Sequence, residues 1–312
     1  MAYVLDLHTH SHHSDGRLMP KDLVASAQIS NMAITHMALT DHGTFTGCPE
    51  FVDACHVRGI EGFVAAEIYG SHPQLPQTEF HFLTFLGNRW DEQTAARAEL
   101  FIPYLNRQSL VETRNIFRFL EAAAKLDVRI PYAEVVRKAV EFYHDIEQPK
   151  TPELIGPVCF SHLRNVLRDR KLEGMTRSGP SGFQQRVWKA AGVGPLPPLP
   201  IDEAFDIYAR VRPATVLAHP MTYGMTVEQI RPLCRLWKET LHLVALEAHY
   251  RGVLCPQWKQ LADQLGLHVA AGTDMHKTYT GAEPRFSVPV VREAEADIPA
   301  LLAALRAAGD GP

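Results

Sequence analysis

The sequence has few cysteines and no paired arrangement of them. Five cysteines are spread over 312 residues, and no two of them form a Cys-x-x-Cys pair. An odd number of unpaired cysteines argues against a disulfide framework and favours reduced thiols in the cytoplasm.

Long apolar runs and a strong net charge are missing as well. Nothing at the N-terminus has the charged and apolar regions of a signal peptide, and no apolar run reaches membrane-spanning length. The net charge of -4 gives no overall positive potential that would attract polyanions, so any nucleic-acid contact must be local. With 46% hydrophobic residues, we expect a soluble cytoplasmic protein with ample core, no membrane partner and no obligate protein partner.

Short strands alternate with helices at both ends of the sequence. The patterns predict strands over 3–7, 35–40, 62–68, 79–86, 214–218, 242–247 and 267–272. They predict helices between these strands over 20–31, 47–58, 201–211, 226–239 and 256–265. Such alternation is typical of parallel βαβ units.

The middle of the sequence interrupts this alternation. Long amphipathic stretches over 92–126, 131–147 and 152–170 contain no convincing strand, and a proline-rich segment over 194–200 cannot be helical. Because about 250 residues suffice for one barrel, we predict an α/β barrel formed by 1–90 and 201–312. Residues 91–200 then form an inserted helical cap domain.

The segment over 6–15 is the most informative motif. It reads Asp-Leu-His-Thr-His-Ser-His-His-Ser-Asp, with His8 and His10 two residues apart at a strand end and Asp15 just beyond. Side chains two apart in a strand share a face, and neutral histidine is the commonest ligand of divalent transition metals. A single His-x-His is weak evidence, so the other strand ends decide its meaning.

Polar residues with ligand chemistry recur at the ends of the other predicted strands. They are Asp41, His42, Glu67, His81, His219, Asp274 and His276. Active sites of parallel α/β barrels occupy the carboxyl ends of the strands, so these side chains are expected to meet at one rim. The mixture of imidazoles and carboxylates suits zinc, manganese or iron. Seven of the 16 histidines lack a second ligand at strand spacing and are expected at the surface: His12, His13, His36, His56, His72, His144 and His242.

These motifs resemble the PHP family, named after polymerase and histidinol phosphatase. The matching segments are Asp6-Leu-His-Thr-His10, Ser14-Asp-Gly16, Leu39-Thr-Asp-His42, Glu67, the His81 strand, Leu217-Ala-His-Pro220 and Gly272-Thr-Asp-Met-His276. Within the family the chain is most similar to the TrpH/YciV-type phosphoesterases, which carry a helical insertion. The resemblance implies a distorted (β/α)7 TIM-like barrel with two or three divalent cations per chain.

The resemblance also implies roles for single residues. One metal is expected on His8, His10, Glu67 and Asp274, and Glu67 is expected to bridge to a second metal that His81 also binds. The third metal is expected on Asp15, His42 and His276. Glu67, Asp274 and His219 are the predicted catalytic residues. His219 and Lys277 are the predicted contacts to substrate.

The insertion departs from the family pattern at two positions. In Ile155-Gly-Pro-Val-Cys-Phe-Ser161, Cys159 stands where the family has a histidine, and Pro157 stands where it has an arginine. A thiolate is an acceptable zinc ligand, so Cys159 is a candidate ligand. The alternatives are a buried thiol beside a weakened second site, or replacement by His162.

We hypothesise a metal-dependent phosphoric ester hydrolase in which a metal-bridging hydroxide attacks phosphorus. Its substrate would be a phosphorylated small molecule or nucleotide, including RNA ends, and the insertion would set substrate size. Two alternatives stay open: an amidohydrolase-type hydrolase and a degenerate metal-binding module. Candidate cations for gripping phosphate in the insertion are Arg114, Arg118, Arg164 and Arg168.

Overall fold

The computed structural model describes residues 3–29, 33–141, 158–172, 182–276, 290–291 and 297–309. The strands in these ranges are β1 (Tyr3–Thr9), β2 (His36–Leu39), β3 (Glu61–His72), β4 (Leu75–Gly87), β5 (Ala214–Leu217), β6 (Leu243–Tyr250), β7 (Val253–Leu254), β8 (His268–Gly272) and β9 (Val290–Val291).

Seven of these strands form a distorted barrel. Strands β1 to β6 pair in sequence order, and β8 pairs with β6. A parallel bridge between Thr9 and Met275 then joins the end of β8 to the end of β1. This mixed α/β fold with a curled sheet of seven strands confirms the prediction of a distorted barrel of the PHP type.

The prediction of parallel strands throughout is wrong at β4. This strand runs antiparallel to both β3 and β5. Only residues 73–74 separate β3 from β4, and a connection this short can join only antiparallel strands, because a parallel crossover needs a dozen or more residues.

The helices are α1 (Pro20–Ile29), α2 (Cys48–Val57), α3 (Glu92–Glu99), α4 (Ile102–Ala124), α5 (Tyr132–Glu141), α6 (Phe160–Asp169), α7 (Phe183–Ala191), α8 (Phe205–Val211), α9 (Val227–Thr240), α10 (Pro256–Leu265) and α11 (Ile298–Ala307). Asp91, Thr226 and Asp297 each accept a backbone N–H at the start of a helix, which satisfies an otherwise unpaired donor. No helix in the described ranges is both long and apolar enough to cross a bilayer.

The amphipathic stretch predicted over 92–126 forms two helices rather than one. The chain breaks between α3 and α4, and a proline occupies the first turn of α4, where it costs no hydrogen bond. Helices α7 and α11 were not predicted from the sequence. The segment that joins α5 to α6, over 142–157, lies outside the described residues.

Helix α11 closes the amino end of the barrel. Ile298, Leu301, Leu302 and Leu305 are buried in the cluster that fills the barrel interior. On the outer side of this end, Arg306 makes two hydrogen bonds of 2.6 Å to Glu61 at the start of β3. Because α11 fills this end, the carboxyl ends of β1, β2, β5, β6 and β8 form the open rim.

The insertion has an apolar cluster of its own. Ile116, Phe119, Leu163 and Val187 belong to a buried cluster built from α4 to α7. The beginning of α4 packs differently, since Tyr104 belongs to a further cluster in which outer helices such as α9 and α10 pack against the barrel strands. The domain boundaries at 91 and 200 remain predictions.

We expect Leu302→Ala to lower the free energy of unfolding by about 2–5 kcal/mol, because a fully buried leucine leaves a cavity when it is truncated. Leu302 is 1% exposed, whereas Leu110 on α4 is 55% exposed and serves as the matched control. Urea denaturation should show a lower midpoint for Leu302→Ala and almost none of that loss for Leu110→Ala. Equal midpoints would show that α11 contributes little to the barrel.

Candidate metal centre

Two histidines of β1 and two carboxylates from distant segments meet at the rim. His8 Nε2 lies 3.1 Å from His10 Nε2, and each nitrogen lies 3.3 Å from Glu67 Oε2. Asp274 Oδ1 lies 3.7 Å from the His8 nitrogen and 3.4 Å from the His10 nitrogen. The structure therefore brings together the four side chains of the first predicted ligand set.

These distances fit a divalent cation. Ligand bonds of about 2.0–2.2 Å place neighbouring ligand atoms about 2.8–3.6 Å apart around a tetrahedral or octahedral ion. The separations among the His8, His10 and Glu67 atoms fall in this range, as does the 3.4 Å from His10 to Asp274, and the 3.7 Å from His8 to Asp274 lies just above it.

A second group adjoins the first. Asp15 Oδ1 lies 3.0 Å from His276 Nε2 and 3.6 Å from His42 Nε2. This oxygen is buried, yet it accepts no hydrogen bond from the described residues. A buried carboxylate oxygen that faces two imidazole nitrogens without a hydrogen bond fits a cation between them. The predicted set of Asp15, His42 and His276 is therefore also assembled.

Glu67 faces both sides of this arrangement. Its Oε2 lies near His8 and His10 and 3.1 Å from His42 Nδ1. Its Oε1 lies 2.6 Å from His81 Nδ1 and 3.2 Å from His219 Nε2. Because the two oxygens face different imidazoles, this fully buried carboxylate has the geometry of a bridging ligand.

His81 reaches the rim because β4 is antiparallel to its neighbours, which the prediction of a parallel barrel did not include. Since β4 runs antiparallel, its beginning lies beside the later part of β3, where His81 pairs with Tyr69. A residue near the start of β4 therefore lies at the same end of the barrel as residues near the carboxyl ends of the other strands.

Glu247 on β6 was missed by the sequence reasoning. Its Oε1 lies 3.1 Å from His8 Nδ1, and its Oε2 accepts the backbone N–H of His219 at 2.6 Å. A Cβ on Gly272 would lie 2.4 Å from His8 Cβ as well as 2.3 Å from this Oε1, so a glycine is needed there. The available signal was a charged residue inside the buried strand Leu243-Val-Ala-Leu-Glu. Glu247 holds His8 so that Nε2 faces the other ligand atoms.

Asp41 supports the loop that carries Asp15. It accepts hydrogen bonds from Ser11 Oγ at 2.6 Å and from Ser14 Oγ at 2.7 Å. Burial raises the pKa of Asp41 to about 6, against the lowering effect of these hydrogen bonds. A Cβ on Gly16 would lie 2.1 Å from the His10 carbonyl oxygen, so this turn also requires glycine.

Asp274 is oriented by two further residues of the rim. Its Oδ2 accepts from Tyr250 Oη at 2.7 Å and from Arg251 Nη2 at 2.6 Å. Because Oδ2 is occupied in this way, Oδ1 is turned toward His8 and His10.

The family model of the PHP domain matches residues 6–154. This part of the chain is a PHP domain. His219, Glu247, Asp274 and His276 lie beyond the matched range, but the barrel brings them to the same rim.

Two solved structures share the fold of the whole chain. An amidohydrolase from Chromobacterium violaceum is 20% identical, with a TM-score of 0.64, and the alignment covers 94% of this chain and 96% of that one. A candidate metal-dependent phosphoesterase from Bifidobacterium adolescentis is 19% identical, with a TM-score of 0.65 and 97% coverage of both chains. No curated protein sequence matches the chain. At these identities the likeness extends to the fold alone, and the TrpH/YciV-like subgroup remains a prediction.

The centre combines stabilised carboxylate anions with stabilised imidazolium cations. Burial alone would lower the pKa values of His81 and His276, but adjacent carboxylates raise both to about 10. Burial alone would raise the pKa values of Asp15, Glu67 and Asp274, but neighbouring imidazoles hold all three well below their usual values. The protein thus holds these carboxylates ionised and the imidazoles of His81 and His276 charged when no cation is bound, whereas burial lowers the pKa of His10 to about 3 and keeps that ring neutral.

Cys159 lies beside the centre without joining a ligand group. It caps α6, and its Sγ lies 3.3 Å from His162 Nδ1. Among the described residues, four groups have ligand atoms close enough to share a cation, and Cys159 is in none of them. A metal-binding role for Cys159 or His162 stays a prediction. Lys277, the predicted substrate contact, lies outside the described residues.

The surface expectation is wrong for two histidines. His12 is 2% exposed and His36 is 9% exposed. His36 lies at the amino end of the barrel, where its Nε2 is 3.2 Å from Glu61 Oε2, so its burial is made possible by a carboxylate partner that only the fold brings near.

A cavity of about 570 Å³ extends from the rim to the insertion. Its lining includes Asp15, His42 and His81 from the barrel, and Phe160, Arg164 and Trp188 from the insertion. Four arginines were predicted to grip phosphate, and among the described residues Arg164 is the one of these four that lines the cavity. Arg118 bonds the Gly194 carbonyl and Arg168 bonds Asn165 instead.

We expect Glu247→Gln to weaken cation binding about 10–100-fold, because the imidazole of His8 loses the carboxylate that orients it. Glu239→Gln, at an exposed position on α9, is the matched control. Competition with a chelator measures the affinity. Equal affinities for the two variants would show that Glu247 does not support the centre.

Cation binding should release protons near pH 8. His81 and His276 have pKa values of about 10 without a cation, so they must lose protons to become ligands. The affinity of the centre for the cation is therefore expected to rise with pH up to about pH 10. Calorimetric titrations in buffers of different ionisation enthalpy measure the release, and a heat independent of the buffer would contradict it.

Proposed function

We propose that the chain is a metal-dependent phosphoesterase acting on phosphate esters of nucleotides or oligonucleotide ends. The single observation that carries this proposal is the buried Glu67 carboxylate, whose two oxygens face separate groups of imidazoles. Membership of the first half in the PHP family and the shared fold support a metal-dependent hydrolase. Beyond this support, we propose that the bond hydrolysed is a phosphoester and that the substrate is a nucleotide or an oligonucleotide end.

The residues present fit two or three divalent cations, and their mixed imidazole and carboxylate chemistry suits zinc, manganese or iron. Cations held there would supply charge stabilisation for a phosphoryl group and a water of lowered pKa. The chain's own contribution is to hold the ligands in place. Glu247 orients His8, and Tyr250 with Arg251 orients Asp274.

The cavity supports an organic phosphate as substrate. It opens directly onto Asp15, His42 and His81, so a phosphoryl group at the rim would leave the rest of the molecule against the insertion. Trp188 and Phe160 offer aromatic surface there, and Arg164 offers a guanidinium for an anionic group. A cavity of about 570 Å³ accommodates a nucleotide-sized ligand.

His219 has two proposed roles. The sequence assigns it to phosphoryl contact or leaving-group protonation. A ligand role is supported by the distance of 3.2 Å between its Nε2 and Glu67 Oε1, in a group that includes His8. Its Nδ1 lies 3.1 Å from Thr222 Oγ1, which orients the ring toward Glu67. We propose the ligand role as the one that the geometry supports better.

The first alternative is an amidohydrolase, the name carried by the Chromobacterium structure. The group of Asp15, His42 and His276 supports the phosphoesterase over this alternative, because its ligand atoms lie close enough to hold a further cation, and an amidohydrolase typically lacks the motifs that complete such a site. The second alternative is a metal-binding module without catalysis, motivated by Cys159 in place of a ligating histidine.

We expect Asp274→Asn to lower phosphate release by at least about 100-fold, because one ligand charge is lost while the fold survives. Asp263→Asn, whose carboxylate pairs with Lys259 on the surface of α10, is the matched control. Phosphate release from nucleotides and synthetic phosphoesters is measured with saturating manganese or zinc. Circular dichroism checks the fold of both variants.

Three outcomes of this screen would overturn the proposal. Amide or lactone turnover without phosphate release would favour the amidohydrolase. Cation uptake without hydrolysis of any phosphoester would favour the degenerate module. Near-normal activity of Asp274→Asn would reject the role of that residue.

A further inference from the structure

The carboxylate of Asp15 is shared between the barrel and the insertion. Its Oδ1 faces His276 and His42, as described above. Its Oδ2 accepts a hydrogen bond of 2.9 Å from Ser161 Oγ. Ser161 lies in the first turn of α6, so a side chain of the insertion holds the oxygen that does not face the imidazoles.

The first turn of α6 has a second connection to the barrel rim. The backbone N–H of Phe160 donates to Glu112 Oε1 at 2.7 Å, and Tyr69 Oη donates to Glu112 Oε2 at 3.0 Å. The Tyr69 ring lies with its centroid 6.4 Å from that of His42 and 5.7 Å from that of His81. The start of α6 is therefore fixed to β3 as well as to Asp15.

The position of Ser161 depends on the rest of the insertion. Leu163, Val166 and Leu167 of α6 are buried against Phe119 of α4 in the insertion cluster. Because α6 is packed into that cluster, the Ser161 hydroxyl is placed by the folded insertion rather than by the barrel. A change in the insertion's packing would move the donor that orients Asp15.

We propose that Ser161 is a positioning residue for the cation group of Asp15, His42 and His276, so that this cation and the docked insertion stabilise each other. A hydroxyl that donates to a carboxylate makes a charge-assisted hydrogen bond, and partners of this kind tune cation affinity through the ligand they orient. The coupling is reciprocal by thermodynamic necessity. The proposal rests on the proposed function only in that this group holds a divalent cation.

The test titrates metal-free full-length protein with manganese alone and follows free manganese by electron paramagnetic resonance. We expect Ser161→Ala to weaken one binding step about 10–100-fold and to leave the remaining steps unchanged. Ser161→Thr keeps the hydroxyl and should restore most of the affinity. Ser109→Ala on α4, at a serine near the same rim outside all ligand groups, is the matched control and should bind like the wild type.

A second measurement follows the effect of the bound cation on the insertion. Manganese should slow hydrogen exchange at the backbone amides of α6 in the wild type and slow it less in Ser161→Ala. Wild-type exchange needs no variant, so it tests the proposal even where Ser161→Ala fails to fold.

Either of two results overturns the inference. One is a Ser161→Ala isotherm that superimposes on the wild-type isotherm. The other is wild-type exchange in α6 that manganese leaves unchanged. If instead the wild type hydrolyses no phosphoester while the shift in manganese binding is observed, the proposed function fails and the coupling stands.

Discussion

The structure depends on the burial of ionised carboxylates among imidazoles at one end of the barrel. Glu67 is fully buried, and Asp15 is 7% exposed. An isolated buried charge is costly, so these oxygens need positive partners in every state of the protein. Protonated histidines meet this need without a cation, and divalent cations meet it when bound. The second layer of Glu247, Asp41 and Arg251 then fixes which atoms face the centre.

Much of this centre could be predicted because strand geometry is local. Residues two apart in a strand share a face, so His8 and His10 had to point together once β1 was recognised. Parallel strands carried His42, His219 and Asp274 to a common rim by the same logic. His81 reached that rim although the assumed strand direction was wrong, because its position near the start of β4 compensated for the reversal.

The parts that escaped prediction are those decided by contacts between distant segments. Glu247 lies in a strand where burial alone was expected, and its role follows only from its distance to His8. Helix α11 is strongly apolar, with Arg306 as its only charged residue, but this local signal does not say which part of the fold it covers. Its function as the closure of the barrel appears only when the interior cluster is seen. Ser161 was not singled out, because Cys159 in the same segment was the candidate ligand and the contact between Ser161 and Asp15 appears only in the fold.

These distant contacts also explain why the insertion need not be a passive cover. The beginning of α4 packs against the barrel strands through Tyr104, whereas the buried apolar residues of α6 belong to the insertion cluster alone. Polar contacts from the first turn of α6 to Asp15 and, through Glu112, to Tyr69 fix α6 at the rim, and Asp15 is itself a candidate ligand. A cation that fixes Asp15 therefore favours the docked insertion, and the docked insertion in turn forms the wall of the cavity. Assembly of the cavity and of the cation group then becomes one event rather than two.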